Sequence, residues 1–244
     1  MPADVLEIIE IIGPSEQGQQ TPYKCRAEDG EIYYVKGRQT NRSSLWNEWI
    51  CAHLAASFGL QIPPFSLVHV SQEILEEVTP GWRHLGSGIA FGSKNHSTSA
   101  WLEPSMVNKI PEPAQRDVLI FDWWVHNSDR LTHNSNLLWD TSNKHLVVID
   151  HNMAFDADFS RSQFFQHHIF ASQWAAIADD LVTQEAFSQR LSKASAAVLA
   201  KACDNIPPEW HWENLECDVP ARVNIDAILS LLSRCETPEL WRTV

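Results

Sequence analysis

Three side chains near the middle of the chain, Asp129, Asn136 and Asp150, carry oxygens that could bind a metal ion or accept a proton. Residues 137–139 and 146–149 are short apolar runs separated by a segment of turn-forming composition, and this pattern predicts a β-hairpin. A hairpin returns its second strand to the start of its first. Asn136 and Asp150 are therefore expected to face each other at roughly 5 Å.

This arrangement points to metal-assisted transfer chemistry. An amide oxygen beside a carboxylate suits Mg²⁺, a hard cation that takes oxygen ligands and leaves room for water and substrate phosphates. Asp129 lies on the loop that enters the hairpin, where a carboxylate is placed to accept a proton from an attacking hydroxyl. Asn134 is a second candidate ligand, but Asn136 directly precedes the strand and is preferred for that reason.

A lysine and a glutamate upstream could form an ion pair. Residues 23–27 and 31–36 are alternating, β-rich runs joined by Glu-Asp-Gly, a strong signal for a hairpin whose second strand ends at Lys36. Glu48 follows inside a helix predicted over residues 44–58, with Asn41, Ser43 or Ser44 as its N-cap. Either residue alone would be read as a solvated surface group. Their order ahead of the central loop favours a functional pair.

The central segment resembles the catalytic loop and metal-binding aspartate of the kinase superfamily. It reads Asn-x-Asp-Arg at residues 127–130, Asn-Leu-Leu at 136–138 and Ile-Asp-His at 149–151, followed by Ala-Phe at 154–155. This run is similar to the HipA-like kinases and, less closely, to the lipid kinases. The resemblance implies an α+β, two-lobed protein-kinase-like fold, with a strand-rich nucleotide-binding lobe over 1–95 and a mainly helical catalytic lobe over 96–244.

The resemblance also implies a role for each candidate residue. In kinases a strand lysine holds the nucleotide phosphates and a helix glutamate fixes it, which assigns these roles to Lys36 and Glu48. Asp129 would be the catalytic group that accepts the proton of the acceptor hydroxyl. Asn136 and Asp150 would bind the metal. The implied cofactors are ATP and Mg²⁺.

The segment before the first hairpin is a candidate phosphate-covering loop. Gly13, Ser15 and Gly18 lie in it, and glycines with small polar residues allow backbone N–H groups to cradle phosphates. The segment lacks the Gly-Lys-Ser/Thr ending of a Walker A loop. In the resembling family a serine of this loop can be modified, so Ser15 is the candidate autophosphorylation site. The alternative is that Ser15 is a turn residue beside Pro14.

Residues 86–93 read as a glycine-rich strand and crossover. In the family resemblance this stretch lies near the hinge between the lobes, which implies a position for Phe91 beside the adenine. Residues 112–127 are apolar nearly all round, as in a central buried helix. The adjacent His167 and His168 are predicted to be a solvated pair.

Composition excludes several other classes of protein. The 244 residues carry a formal net charge of -13, which would repel a nucleic-acid backbone. No stretch is apolar enough to span a bilayer. The five cysteines show no Cys-x-x-Cys spacing, which argues against a disulfide framework and a zinc module. A soluble cytoplasmic enzyme is expected.

The function predicted from these observations is ATP- and Mg²⁺-dependent phosphate transfer to Ser/Thr of a protein, with a toxin–antitoxin type of partner as one implication of the resemblance. A pseudokinase that binds nucleotide and a partner is an alternative. A metal-dependent phosphohydrolase is another, since His126, His133 and the pair Asp150-His151 could supply metal ligands. That reading leaves Lys36 and Glu48 without a role.

Overall fold

The computed structural model describes residues 5–15 and 21–242. It mixes strands and helices, as the sequence predicted. The strands are β1 Val5–Pro14, β2 Tyr23–Ala27, β3 Ile32–Lys36, β4 Phe65–Val70, β5 Gly88–Lys94, β6 Ser99–Trp101, β7 Leu137–Asp140 and β8 His145–Val148. The helices are α1 Arg42–Phe58, α2 Gln72–Glu77, α3 Glu112–Trp124, α4 Arg161–His167, α5 Ala175–Ala178, α6 Leu181–Asp204 and α7 Ile225–Ser233.

The first five strands close into a barrel in the order β1-β2-β3-β5-β4. All pairs are antiparallel except β1 with β4, which is parallel. Alternate residues of each strand point into the barrel, where they form an apolar core. This core includes Ile8, Ile11, Tyr23, Cys25, Ala27, Tyr33, Val35, Val68, Val70 and Ala90. The next residue along a strand therefore faces away from the barrel interior.

The turn and the cap around the barrel follow from local sequence. The predicted hairpin turn is present: Gly30 has φ +83°, its N–H donates to the carbonyl of Ala27, and the N–H of Ala27 donates to Glu31 at 3.0 Å. α1 begins at Arg42, two residues earlier than predicted. Asn41 caps it by accepting from the N–H of Ser44 at 2.7 Å.

The predicted central hairpin is also present. β7 and β8 pair with Leu137 opposite Val148, and β6 adds a third strand on the other side of β7. The turn is closed by Asp140, whose carboxylate accepts from the N–H groups of Ser142 and Asn143 at 2.8 and 3.0 Å. These bonds satisfy the turn backbone and fix the register.

α3 is the buried central helix of this part of the chain. Its residues from Val118 to Trp124 are all buried. The indole N–H groups of Trp123 and Trp124 donate to the carbonyls of Leu240 and Leu232, so the large rings are buried without an unsatisfied donor. The helix ends at Trp124 rather than near residue 127, because His126 has a left-handed backbone with φ +52°.

The chain divides into two compact units. One comprises residues 1–49, 63–97 and 203–223, and contains the barrel. The other comprises residues 50–62, 98–202 and 224–244, and contains the three-stranded sheet and α3. The nucleotide-binding and catalytic roles assigned to residues 1–95 and 96–244 remain predictions. Within the described part of the chain, no helix is both long and apolar enough to cross a membrane.

Candidate active site

Lys36 and Glu48 form an ion pair inside the first unit. Lys36 ends β3, directly after the barrel-facing Val35, so its side chain leaves the opposite face of the strand. Its ammonium group donates to the carboxylate of Glu48 on α1. Lys36 is 7% exposed and Glu48 3%. Neither residue is the solvated surface group that each would be expected to be in isolation, and loss of one partner would leave a buried charge.

Phe91 lies opposite Lys36 in the register of β3 with β5. Its ring is buried and stacks on that of Phe65 at 6.0 Å, and Phe65 in turn meets the edge of Trp49 at 5.7 Å. This row of rings fixes the position of Phe91 beside the strand that carries Lys36. Contact between Phe91 and an adenine remains a prediction.

The candidate phosphate-covering loop leaves the barrel at the end of β1. Gly13 has φ +153°, and a Cβ there would lie 3.3 Å from the ring of Trp82, so glycine suits this position. The N–H of Ser15 donates to the carbonyl of Pro22 at 2.8 Å, which closes the two ends of the loop. Gly18 lies outside the described residues.

In the second unit, Asp129 is held by two asparagine amides. Asn136 donates to its carboxylate at 3.0 Å, and Asn134 donates to both carboxylate oxygens at 3.3 Å. Partial burial raises the pKa of Asp129, and the negative charge of Asp150 adds to this, while the two amide hydrogen bonds oppose it. A raised pKa makes the carboxylate a better proton acceptor.

Asn136 and Asp150 lie at the open end of the β7–β8 hairpin. The N–H of Ile149 donates to the carbonyl of Asn136 at 3.1 Å, and the register with Leu137 opposite Val148 places Ile149 opposite Asn136. The prediction that Asn136 and Asp150 face each other is therefore wrong by one residue. Both Asn136 and Asp150 have left-handed backbones, with φ of +47° and +59°. Such backbones are uncommon outside glycine and cluster at functional sites.

Both asparagines remain candidates for the metal. Leu131 and Asn134 exchange backbone hydrogen bonds at 2.9 and 3.2 Å, which folds the extra residues into a tight turn. The turn returns Asn134 to Asp129, so the loop insertion does not separate them. With the amide nitrogens engaged by Asp129, the side-chain oxygens of Asn134 and Asn136 are free to serve as ligands.

A buried charged cluster lies directly behind this loop. Arg130 and Asp122 are both fully buried and form an ion pair, with Nε donating to Oδ2 at 2.5 Å. His168 shares the same carboxylate oxygen at 3.0 Å. The prediction of a solvated histidine pair is wrong for His168, because the chain after α4 returns it to α3. The motif that contains Arg130 was visible in the sequence, whereas its partners were not.

The histidines that suggested a phosphohydrolase have different surroundings. His126 stacks on Phe159 at 4.1 Å inside an aromatic cluster that includes Trp123. Burial, together with the charges of nearby arginines, lowers the pKa of His126 to about 3. His151 is buried with its ring against Phe121, and His133 is exposed. Both His126 and His151 therefore lie in aromatic surroundings.

Comparison with known proteins agrees with the resemblance seen in the sequence. The family model for HipA-like kinases matches residues 8–244. The fold is similar to that of the Helicobacter pylori proinflammatory kinase CtkA, with a TM-score of 0.50, 10% identity and coverage of 96% of this chain and 95% of that one. The Golgi casein kinase with Mn/ADP bound has a TM-score of 0.48, 12% identity and coverage of 98% and 73%. No match was found among curated proteins.

Proposed function

The chain belongs to the HipA-like kinase family, and from this we propose that it is an ATP- and Mg²⁺-dependent phosphotransferase whose acceptor is a Ser/Thr hydroxyl of a protein. The observation that carries the proposal is the environment of Asp129. Its carboxylate accepts from Asn136, and the charge of Asp150 contributes to its raised pKa. A carboxylate base close to an amide and a second carboxylate suits metal-assisted phosphoryl transfer.

We propose that Asn136 and Asp150 hold Mg²⁺. The fit is chemical: both offer oxygen atoms, which Mg²⁺ prefers, and neither offers a nitrogen or sulfur ligand that would favour zinc. When bound, Mg²⁺ neutralises charge that develops on the transferred phosphoryl group. The left-handed backbones of both residues support this assignment, because such conformations cluster at functional sites.

Lys36 is proposed to hold the α- and β-phosphates of ATP. Glu48 fixes the direction of the Lys36 ammonium group through their buried ion pair. The segment that joins β1 to β2, which begins at Ser15, is proposed to cover the phosphates. Phe91 is proposed to lie beside the adenine.

Asp129 is proposed to orient the acceptor hydroxyl and take its proton. The amides of Asn134 and Asn136 hold the carboxylate in one orientation, so little conformational freedom is lost when the acceptor binds. The Ser/Thr acceptor, a toxin–antitoxin type of partner and a cytoplasmic location are inferred from the family alone. The pseudokinase alternative is not favoured, because Lys36, Asp129 and Asp150 are all present.

Two measurements test this function. The melting temperature should rise on addition of ATP with Mg²⁺, and the rise should be lost in Asp150→Ala. Transfer of radiolabelled phosphate from ATP to a panel of proteins, lipids and small molecules then identifies the acceptor class. The proposal fails if ATP gives no shift with Mg²⁺ or Mn²⁺. If only lipids or small molecules are labelled, the proposal of a protein acceptor is refuted, while the proposal of a phosphotransferase stands.

A further inference from the structure

The guanidinium group of Arg130 is completely buried beneath the loop that carries Asp129. It forms a two-point ion pair with Asp122 of α3, in which Nε donates to Oδ2 at 2.5 Å and Nη2 donates to Oδ1 at 3.3 Å. The positive charge of Arg130 lowers the pKa of the Asp122 carboxyl despite complete burial, and so does the hydrogen bond from His168. The pair is anchored on a rigid, buried helix.

His168 also holds the Asp122 carboxylate, and its hydrogen bonds define one tautomer of its ring. Its Nδ1 accepts from the backbone N–H of Phe170 at 3.1 Å, which leaves the proton on Nε2. Nε2 then donates to Asp122 at 3.0 Å. Burial lowers the pKa of His168, so the ring is neutral and the cluster contains one positive and one negative charge. Asp122 is therefore held from two sides.

The remaining nitrogen of Arg130 reaches the backbone of the candidate metal site. Nη1 donates to the carbonyl oxygens of Ser135, Asn136 and Ile149 at 3.2, 2.8 and 3.2 Å. Two of these carbonyls belong to the residues that precede β7 and one to the residue that follows β8. A single nitrogen thus connects the backbone just before β7 to the backbone just after β8.

These carbonyls flank the two residues with left-handed backbones. The Asn136 carbonyl belongs to one candidate ligand, and the Ile149 carbonyl forms the peptide that leads into Asp150. We infer that Arg130 is a positioning residue, which fixes the separation and direction of Asn136 and Asp150 and so sets the affinity of the site for its metal. This inference rests on the proposed function, because it assumes that these residues bind the metal.

Lysine cannot replace arginine in this position. The planar guanidinium carries five donors in a fixed fork and uses three nitrogens in different directions here, whereas an ammonium is a single point with three donors. In Arg130→Lys the side chain must therefore lose either its contact with Asp122 or its contacts with the carbonyls of the candidate metal site. Groups that orient metal ligands from behind typically contribute 10- to 100-fold to metal affinity or activity. We expect a metal dissociation constant raised by about tenfold or more.

The test measures Mn²⁺ binding by electron paramagnetic resonance at saturating ADP, together with the melting temperature without metal. Arg234→Lys is the matched control. Arg234 is also a buried arginine that donates to carbonyls of α3, those of Trp123 and Trp124, but it bonds to none of the candidate ligands. Both variants should melt at lower temperature than the unaltered protein. Only Arg130→Lys should bind Mn²⁺ more weakly.

The possible results separate the inference from the function on which it rests. If the unaltered protein binds no Mn²⁺ with ADP, the proposed function fails. If it binds Mn²⁺ and both variants match its affinity within twofold, Arg130 is structural and the inference is overturned. If Arg130→Lys does not fold, Asp122→Asn replaces it in the test. This variant keeps the guanidinium group of Arg130 but removes the charge of its partner, and weaker Mn²⁺ binding is again expected. If Arg130→Lys and Asp122→Asn both fail to fold while Arg234→Lys folds, the cluster of Arg130, Asp122 and His168 contributes only to stability. That result would overturn the inference.

Discussion

The ammonium group of Lys36 donates to the carboxylate of Glu48, twelve residues further along the chain, and both side chains are more than nine-tenths buried. β3 supplies one partner and α1 the other, so the pair links this strand to the first half of the helix. Two charges removed from water are stable only when they remain together. The pair therefore contributes to folding as well as to the proposed binding of phosphates.

Glu48→Gln is expected to destabilise the protein by about 3–5 kcal/mol, because it removes the carboxylate that pairs with the buried Lys36 charge. ATP affinity should fall as well. Urea unfolding and nucleotide titration measure the two effects. Glu31→Gln is the control: its pair with Lys94, at 3.1 Å, is largely exposed, and should contribute less than about 1 kcal/mol. Equal effects of the two substitutions would show that burial of the Lys36 pair has no energetic consequence.

Asp129→Asn should reduce phosphate transfer by roughly 100-fold or more, while ATP affinity changes little. The amide keeps the size of the side chain but cannot accept the proton of the acceptor. Single-turnover transfer and equilibrium binding separate the two quantities. Asp158→Asn, on the exposed surface of the same unit, should leave both unchanged. Parallel loss of binding and transfer would instead make Asp129 a metal ligand.

The choice between Asn134 and Asn136 is open to a direct comparison. Asn136→Gly removes the amide and suits a backbone with φ +47°, and Asn134→Ala removes the other amide. We expect Asn136→Gly to raise the Mg²⁺ concentration needed for half-maximal transfer by about tenfold or more, and Asn134→Ala to raise it much less. The opposite order would assign the ligand to Asn134.

Because the pKa of His126 is lowered by burial, we expect the protein to lose stability in acid. Below pH about 6.5 the unfolded histidine takes up a proton, but the folded one, with a pKa of about 3, does not. The unfolded state then binds more protons, so stability falls as pH falls between these values, by up to about 1.4 kcal/mol per pH unit before allowance for partial exposure. His126→Asn, which tolerates the φ of +52°, should flatten urea-unfolding stability against pH from 6 to 4. An unchanged slope would contradict this.

Ser15 is the candidate site of autophosphorylation. A phosphate there would add nearly two negative charges to the loop that is proposed to cover the phosphates of ATP, so repulsion should weaken ATP binding. Mass spectrometry after incubation with ATP and Mg²⁺ locates the phosphate, and Ser15→Asp mimics its charge. The turn-residue alternative holds if phosphate is found only elsewhere, or if Ser15→Asp binds ATP as well as Ser15→Ala does.

The sequence by itself determined the family, the mixed fold and the main hairpins. Local signals sufficed for these features: Asp-Gly fixes the turn before β3, and turn residues around Asp140 fix the β7–β8 hairpin. The proximity of Asp129, Asn136 and Asp150 could also be predicted from the sequence, because a hairpin brings its two ends together through only a few residues. The pairing of Lys36 with Glu48 was implied by the resemblance to kinases, in which a strand lysine is fixed by a helix glutamate.

Only the tertiary structure revealed the cluster of Arg130, Asp122 and His168. His168 lies 46 residues from Asp122, and no local pattern links them. Adjacent histidines are usually solvated, so nothing in the sequence indicated that His168 is buried. Its burial depends on where the folded chain places the end of α4. The left-handed backbones of Asn136 and Asp150 were equally hidden, since neither residue is glycine. Charge burial and backbone strain arise from contacts between distant segments, and these exist only once the chain is folded.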